Sequence, residues 1–187
     1  MATTCIEMSV EETNIEHFKN LMAPCIPSVI TPEIINDLQG MGFFTAPAAI
    51  HHHGAYTGGL FRHSMAVTNQ LLVYTEQLEL DWDRMESPYI VGMFHDLCKT
   101  DDYIFTKDGW DYRPHKILNG HGEKSVIMAQ HLLKSNLTYQ EIMCIRWHMG
   151  AFDQKENWNV YGEAVACDQN VLYTHTADMY ASRVLNI

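Results

Sequence analysis

Apolar residues recur at helical spacing along most of the chain, and the segments that carry them begin with residues typical of helix N-termini. Ser9 followed by Glu12 is a capping box, in which each residue satisfies a backbone amide of the other. It predicts a helix that extends to about Met22. Thr138 and Glu141 repeat the pattern before another helix. Capping residues and apolar spacing together indicate a mainly helical fold.

Four further helices follow from proline positions and from apolar periodicity. The helices predicted over 31–40 and 87–100 carry proline at their second residue, where an α-helix has no partner for the missing amide hydrogen. Over 58–80, apolar residues share one helix face with His63, so this side chain should point into the core. A long C-terminal helix is predicted over 160–184.

The segment YIFTKDGWDYR, at 103–113, looks extended instead. Its residues KDG at 107–109 suit a tight turn between one strand at 103–106 and another at 110–113. The predicted fold is therefore all-α, a helical bundle with one small β-hairpin.

Composition and charge limit the class of protein. The chain has 187 residues, 47% hydrophobic and 19% charged, enough to bury a core in one domain. We expect a single domain over 1–187, with a helical extension at 1–45 and a core at 50–185. The formal net charge is -11, whereas proteins that bind nucleic acids usually display a basic surface. We therefore do not expect a nucleic acid as the partner. A small anionic substrate fits better, because a bound metal ion can make the local electrostatic potential positive.

The cysteines and the N-terminus indicate a cellular compartment. The five cysteines have no C-x-x-C spacing: Cys5, Cys25, Cys98, Cys144 and Cys167. We expect them to be reduced core residues of a cytoplasmic protein. The segment MATTCIEMSVEETN lacks a basic region followed by an apolar core, and no apolar run approaches roughly eighteen residues. Neither secretion nor a membrane span is expected.

The candidate chemistry begins with His95 and Asp96, which are adjacent in the apolar segment YIVGMFHDLCK. An ionised carboxylate beside an imidazole is unfavourable to bury unless a cation compensates it, and a metal ion is the simplest such cation. Four more candidate ligands lie about thirty positions apart in or beside other predicted helices: His63, His121, His148 and Asp178. Because helical bundles build metal sites in their cores, we expect these side chains to form one site.

The ligand types indicate the metal and the reaction. Four imidazoles and two carboxylates suit a divalent transition metal such as Fe, Mn, Zn, Co or Ni, rather than calcium. Two such ions about 3.5 to 4 Å apart can share a hydroxide that is nucleophilic at neutral pH, and both can hold phosphate oxygens. The expected reaction is in-line hydrolysis of a phosphoester.

Five segments resemble, in order, the motifs of the HD-domain superfamily of metal-dependent phosphohydrolases: GGLFRHS, FHDLCK, GHGEKS, RWHMG and HTADMYASR. They cover roughly 50–185. Within the superfamily the chain is most similar to the HD domain of 3′-5′ exoribonucleases of the YhaM type, on the segments HHHGAYTGGLFRH and HTAD.

This resemblance implies a helical bundle that holds one or two metal ions. It implies that one ion is bound by His63, His95, Asp96 and Asp178. His121 and His148 would complete a second site across a bridging Asp96.

Other residues are expected to act on the substrate. Lys99 follows Asp96 by three positions, so its ammonium should face the bound anion and act with Asp96 in catalysis. Lys124 and Ser125 lie in the first turn of the helix that starts in GHGEKS, and a helix N-terminus favours an anion. The remaining residues expected to bind the substrate are His53, Arg62 and Arg183.

The expected substrate is a nucleotide or another small phosphoester. The exoribonucleases carry an oligonucleotide-binding barrel before the HD domain, whereas the residues before the motifs here look helical, which argues against RNA. Two alternatives stay open: a di-iron oxygenase with the same ligands, and a non-catalytic module that senses a nucleotide. Because all six ligands are present, the non-catalytic module ranks last; the hydrolase is the leading interpretation, although the ligands alone separate it poorly from the oxygenase. Association into a homo-oligomer also stays open.

Overall fold

The computed structural model describes residues 8–52, 54–116 and 118–187, and it is mainly helical. The helices are α1 (Val10–Leu21), α2 (Pro32–Gly40), α3 (Gly59–Leu78), α4 (Ser87–Phe94), α5 (Lys99–Asp102), α6 (His121–Leu132), α7 (Tyr139–Trp147), α8 (Trp158–Cys167) and α9 (Gln169–Met179). The strands are β1 (Tyr103–Thr106) and β2 (Gly109–Tyr112). A π-helical turn, Tyr180–Val184, follows α9. The predicted all-α fold with one small hairpin is confirmed.

Both predicted capping boxes are formed. The amide of Glu12 donates to the Ser9 hydroxyl at 3.2 Å, and the amide of Ser9 donates to the Glu12 carboxylate at 2.8 Å. Thr138 and Glu141 make the same pair of bonds at the start of α7. Each box satisfies two amides that a helix N-terminus leaves without partners, so these helices begin where the sequence predicts.

The hairpin has a shorter turn than predicted. Thr106 pairs with Gly109 in an antiparallel ladder, so the turn consists of Lys107 and Asp108 alone. Gly109 has a φ of +113°, which other residues rarely adopt. The glycine therefore starts β2 instead of ending the turn.

The helix predicted over 87–100 ends earlier, at Phe94. The amide of Cys98 donates to the Ser125 hydroxyl at 3.2 Å instead of extending the helical ladder. The amide of Lys99 then bonds to the carbonyl of Asp96 at 3.0 Å, as in a tighter turn. His95 and Asp96 consequently lie in a turn between α4 and α5.

The prediction of one continuous helix over 160–184 is wrong, because the helix is interrupted at Asp168. This residue is extended, with φ −146° and ψ 113°, and its carboxylate accepts from the amide of Asn170 at 2.8 Å. Its second oxygen accepts from the Gln140 side chain at 2.8 Å. Asp168 is therefore the N-cap of α9, a position that aspartate favours over a helix interior.

Helix α3 packs against α4 and α9, and α7 packs against α4, α6 and α9. Glycine permits one close approach: a Cβ on Gly92 in α4 would lie 2.6 Å from the Cα of Thr68 in α3. The rings of Phe18 and Phe44, 5.5 Å apart and edge to face, are part of the core beside these helices. No helix within the described ranges is long and apolar enough to cross a bilayer.

Candidate metal centre

The packing brings the six predicted ligands together at one end of several helices. His63 lies in α3 and Asp178 in α9; the others lie at the end of α4, at the start of α6 and at the end of α7. Their donor atoms form overlapping groups within which all atoms lie within 4.8 Å of one another: His63, His95 and Asp178; His95, Asp96 and His148; and Asp96, Cys98 and His121. Residues far apart in the sequence therefore converge.

Asp96 lies between two sets of imidazoles. Its Oδ2 is 3.7 Å from Nε2 of both His63 and His95. Its Oδ1 is 2.6 Å from Nε2 of His121 and 3.4 Å from Nε2 of His148. Each carboxylate oxygen thus faces a different pair of histidines.

Three of the four histidines predicted as ligands have rings that are oriented by the backbone. The Nδ1 atoms lie 2.7–2.8 Å from carbonyl oxygens, in the pairs His63 with Ile187, His95 with Gly92, and His148 with Ile145. Because a carbonyl only accepts, each Nδ1 carries hydrogen, and in a neutral ring Nε2 keeps its lone pair. Metal-binding histidines are held in this way by their second nitrogen.

His148 provides a test of whether a metal ion fits. The ring is fully buried, and its Nε2 has no hydrogen-bond partner among the described residues. A buried polar atom without a partner is unfavourable, and a bound ion is one group that would satisfy it. The atom points toward the cluster, 3.4 Å from Asp96 Oδ1, where a cation would satisfy it.

The spacing of the donor atoms also fits an ion. Two atoms that each lie roughly 2.0 to 2.1 Å from one ion are about 3.0 Å apart at a right angle and about 3.4 Å apart at the tetrahedral angle. His63 Nε2 is 3.3 Å from His95 Nε2 and 3.2 Å from Asp178 Oδ1. These donors could therefore bind a divalent transition metal with little rearrangement.

Burial and charge act in opposite directions on the histidines. Burial lowers the pKa of His95 to about 4, so the ring is neutral at neutral pH. Burial also disfavours the charged form of His63, but the hydrogen bond that this ring donates to Asp178 and the charges of Asp178 and Asp96 together outweigh it and raise the pKa. A metal ion at His63 would therefore displace a proton.

The charged groups compensate one another in the metal-free protein. Burial disfavours ionised Asp96, but Lys99 and His121 outweigh it and hold the pKa of this carboxyl well below its usual range. Burial likewise lowers the pKa of His121, but the neighbouring Cys98 and Asp96 raise it well above its ordinary value. Asp96 is thus ionised and surrounded by groups that favour its charge.

A cavity of about 170 Å³ opens onto these residues. It is lined by Asp96, Lys99, His121, Met149, Phe152, Asp178, Met179, Ser182 and Arg183. Lys99 is buried, with Nζ 3.4 Å from Asp96 Oδ2, and donates to the carbonyl of Ala48. The guanidinium of Arg183 lies 5.6 Å from the ring centre of Phe152. Two predicted substrate-binding cations therefore lie at the cavity.

The other residues predicted to bind the substrate lie away from this cavity, or their side chains already form ion pairs or hydrogen bonds. Arg62 is exposed and lines a separate cavity beside α3. Lys124 is buried in ion pairs with Asp101 at 2.7 Å and Asp102 at 2.9 Å. The Ser125 hydroxyl accepts the amide of Cys98, as described above. His53 lies outside the described residues.

The sequence analysis did not identify Cys98 as part of the site, whereas the position of His175 one helical turn before Asp178 had suggested that it orients a ligand. Cys98 is buried, and its Sγ lies 3.5 Å from Nδ1 of His121. The ring of His175 donates from Nδ1 to the carbonyl of His148 at 2.7 Å and so helps to position that residue. The sequence offered one indication for Cys98, its position two residues after Asp96. A cysteine in an apolar segment is usually a core residue, so this position alone did not predict a role in the site.

Comparison with known proteins finds a distant relative. The chain is 33% identical over 98 residues to a dihydroneopterin 2′,3′-cyclic phosphate phosphodiesterase of Methanocaldococcus jannaschii. The match covers 51% of this chain but 36% of the relative, so the chain spans about a third of that protein's length. No family model matches the chain. No solved structure matches it either.

Proposed function

We propose that this chain is a metal-dependent phosphohydrolase of the HD type, which hydrolyses a small phosphoester with a metal-activated water. The observation that carries the proposal is the position of Asp96, whose two oxygens face separate pairs of histidines within one buried cluster. The phosphodiesterase relative supports hydrolysis over oxygenase chemistry, for which the same ligands would serve.

The proposed ligands form two positions. The first, facing Asp96 Oδ2, consists of His63, His95 and Asp178. The second faces Asp96 Oδ1 and includes His121 and His148. A divalent ion supplies a water of lowered pKa and a positive charge for phosphate oxygens.

The remaining chemistry belongs to cations at the cavity. Lys99 lies beside Asp96 and places a buried positive charge where a phosphate would meet the cluster. Arg183 lines the opening and can bind a phosphate oxygen pair in bidentate fashion. A fixed donor that meets developing negative charge lowers the barrier without reorganisation.

The proposed substrate is a nucleotide or another small phosphoester. The cavity of about 170 Å³ and the net charge of -11 argue for a small molecule over a polynucleotide. Phe152 is exposed at the cavity and offers a ring surface to an aromatic group of the substrate. We further propose that 1–187 is one domain, with an HD core at 50–185.

Replacement of Asp96 tests the proposal. Asp96→Asn should abolish hydrolysis and lower the metal content, because the residue between the two positions loses its charge. The measurements are metal analysis of protein purified without chelator and a screen of phosphate monoesters, diesters and cyclic nucleotides. Asp108→Asn, in the exposed hairpin turn, is the matched control and should keep both properties. Full metal content and activity in Asp96→Asn would contradict the assignment.

A further inference from the structure

We propose that Cys98 is a ligand of the ion at the second position, so that this position has a sulfur donor and the first does not. The inference rests on the proposed function for the metal centre but adds a ligand of a different chemical class. The Sγ atom lies 3.5 Å from Nδ1 and 3.8 Å from Nε2 of His121. Donor atoms of Asp96, Cys98 and His121 all lie within 4.8 Å of one another.

The ring of His121 is surrounded differently from the other rings. His63, His95 and His148 each place Nδ1 on a backbone carbonyl. His121 instead has Asp96 Oδ1 at 2.6 Å from Nε2 and the sulfur of Cys98 beside Nδ1. A carboxylate, an imidazole and a buried thiol thus share one small volume, and a cation is the group that all three can bind.

A second observation points to the same position independently. His148 Nε2 is buried without a hydrogen-bond partner among the described residues and lies 3.4 Å from Asp96 Oδ1. This nitrogen groups with donor atoms of His95 and Asp96 and not with the sulfur, but it faces the same Asp96 oxygen as His121, so an ion at the second position would recruit it as a fourth donor. Four donors of nitrogen, oxygen and sulfur type are a set that zinc and similar ions accept in tetrahedral geometry.

The two positions would then differ in metal preference. The first position has only nitrogen and oxygen donors, from His63, His95, Asp96 and Asp178. A thiolate at the second position favours softer ions, such as zinc or cobalt, over manganese or magnesium. The thiol loses its proton to solvent when the sulfur–metal bond forms, so no oxidant or reductant is needed.

Cobalt titration of the metal-free protein tests the inference. Cobalt bound to thiolate gives a sulfur-to-metal charge-transfer band in the near ultraviolet, which nitrogen and oxygen ligands do not give. Wild-type protein should develop the band as the second position fills. Cys98→Ala should lose it, whereas Cys144→Ala, which removes another buried thiol from α7, should keep it.

The wild-type spectrum decides the question even if Cys98→Ala does not fold. Absence of the band from wild-type protein at saturating cobalt overturns the assignment, and so does its persistence in folded Cys98→Ala. Because the spectrum needs no substrate, it is independent of the proposed activity. A cobalt protein with the band but without phosphoesterase activity would refute the proposed function and retain Cys98 as a ligand.

Discussion

Substitution of Lys99 can separate an effect on turnover from an effect on metal binding. Lys99→Met should keep the metal ligands but reduce turnover by about a hundredfold or more, the scale found when one preorganised donor is lost. Lys99→Arg should restore activity only in part, because a planar guanidinium does not replace a compact ammonium at the same depth. Steady-state kinetics and metal analysis of the purified variants measure both effects.

Loss of Lys99 also removes the partner of a buried carboxylate, which destabilises a protein by about 3 to 5 kcal/mol. Arg84→Met is a matched control, because it breaks an ion pair with the buried Glu141, and neither residue is a predicted ligand or lines the cavity beside Asp96. It should lower the free energy of unfolding but leave turnover per folded molecule unchanged. Wild-type turnover in Lys99→Met would remove this residue from the mechanism.

His95 should make the stability of the metal-free protein depend on pH. Burial lowers its pKa from 6.5 to about 4. Between these values the unfolded chain binds a proton that the folded protein does not, so the contribution of His95 to the free energy of unfolding should fall as the pH falls. The raised pKa values of His63 and His121 act in the opposite direction near pH 6.5. The slope from this residue is at most about 1.4 kcal/mol per pH unit.

Urea unfolding of chelator-treated protein between pH 5 and pH 6.5 measures this slope. His95→Asn should show a shallower decrease than the wild type, whereas His17→Asn, on the exposed side of α1, should keep the wild-type decrease. Equal slopes in the wild type and His95→Asn would mean that the folded protein binds this proton as readily as the unfolded chain does.

At the scale of the elements, the contact between α6 and α7 positions the second set of ligands. A Cβ on Gly122 would overlap the carbonyl oxygen of Arg146 in α7. Gly122→Ala should therefore push the start of α6, and with it His121, away from Asp96. We expect about 1 to 3 kcal/mol of destabilisation, as for overpacking in a core. Metal analysis should show selective loss of the ion at the second position, which includes His121.

Gly162→Ala is the control for a glycine in a helix. A Cβ there would meet nothing within 4 Å, so the substitution should stabilise α8 by up to about 1 kcal/mol and leave the metal content unchanged. If Gly122→Ala retained full metal content and stability, the close approach of α6 and α7 would not be what places His121.

At the scale of the whole molecule, the candidate metal centre joins distant parts of the chain. Its six predicted ligands lie in α3, α6 and α9, or within two residues after the ends of α4 and α7. An ion that binds the folded protein alone should stabilise all of these helices together. At a metal concentration 100 times the dissociation constant, the free energy of unfolding should rise by about 2.7 kcal/mol.

Chemical unfolding with and without metal measures this increment. Asp96→Asn should lose it. Ser9→Ala, which removes the N-cap of α1, should lower stability by about 1 kcal/mol and yet keep the increment. A metal-dependent increment of wild-type size in Asp96→Asn would place the ion elsewhere.

The sequence by itself determined the features that depend on neighbouring residues. The capping boxes at Ser9 and Thr138 need only residues three positions apart, and both are formed. The buried pair of His95 and Asp96 was recognisable because an ionisable pair in an apolar segment needs compensation. The other four predicted ligands were selected by their spacing in or beside other predicted helices and by the resemblance to HD-domain motifs. The structure places them together, although their role as metal ligands stays a prediction.

Only the tertiary structure decided the features that depend on distant residues. Asp168 interrupts the C-terminal helix where its carboxylate accepts from the amide of Asn170 and from Gln140 of α7. The sulfur of Cys98 becomes part of the cluster because α6 brings His121 to it. The spacing of residues along the sequence does not predict such contacts. Helix packing, and not the neighbouring residues, determines which atoms become the hydrogen-bond partners of a side chain.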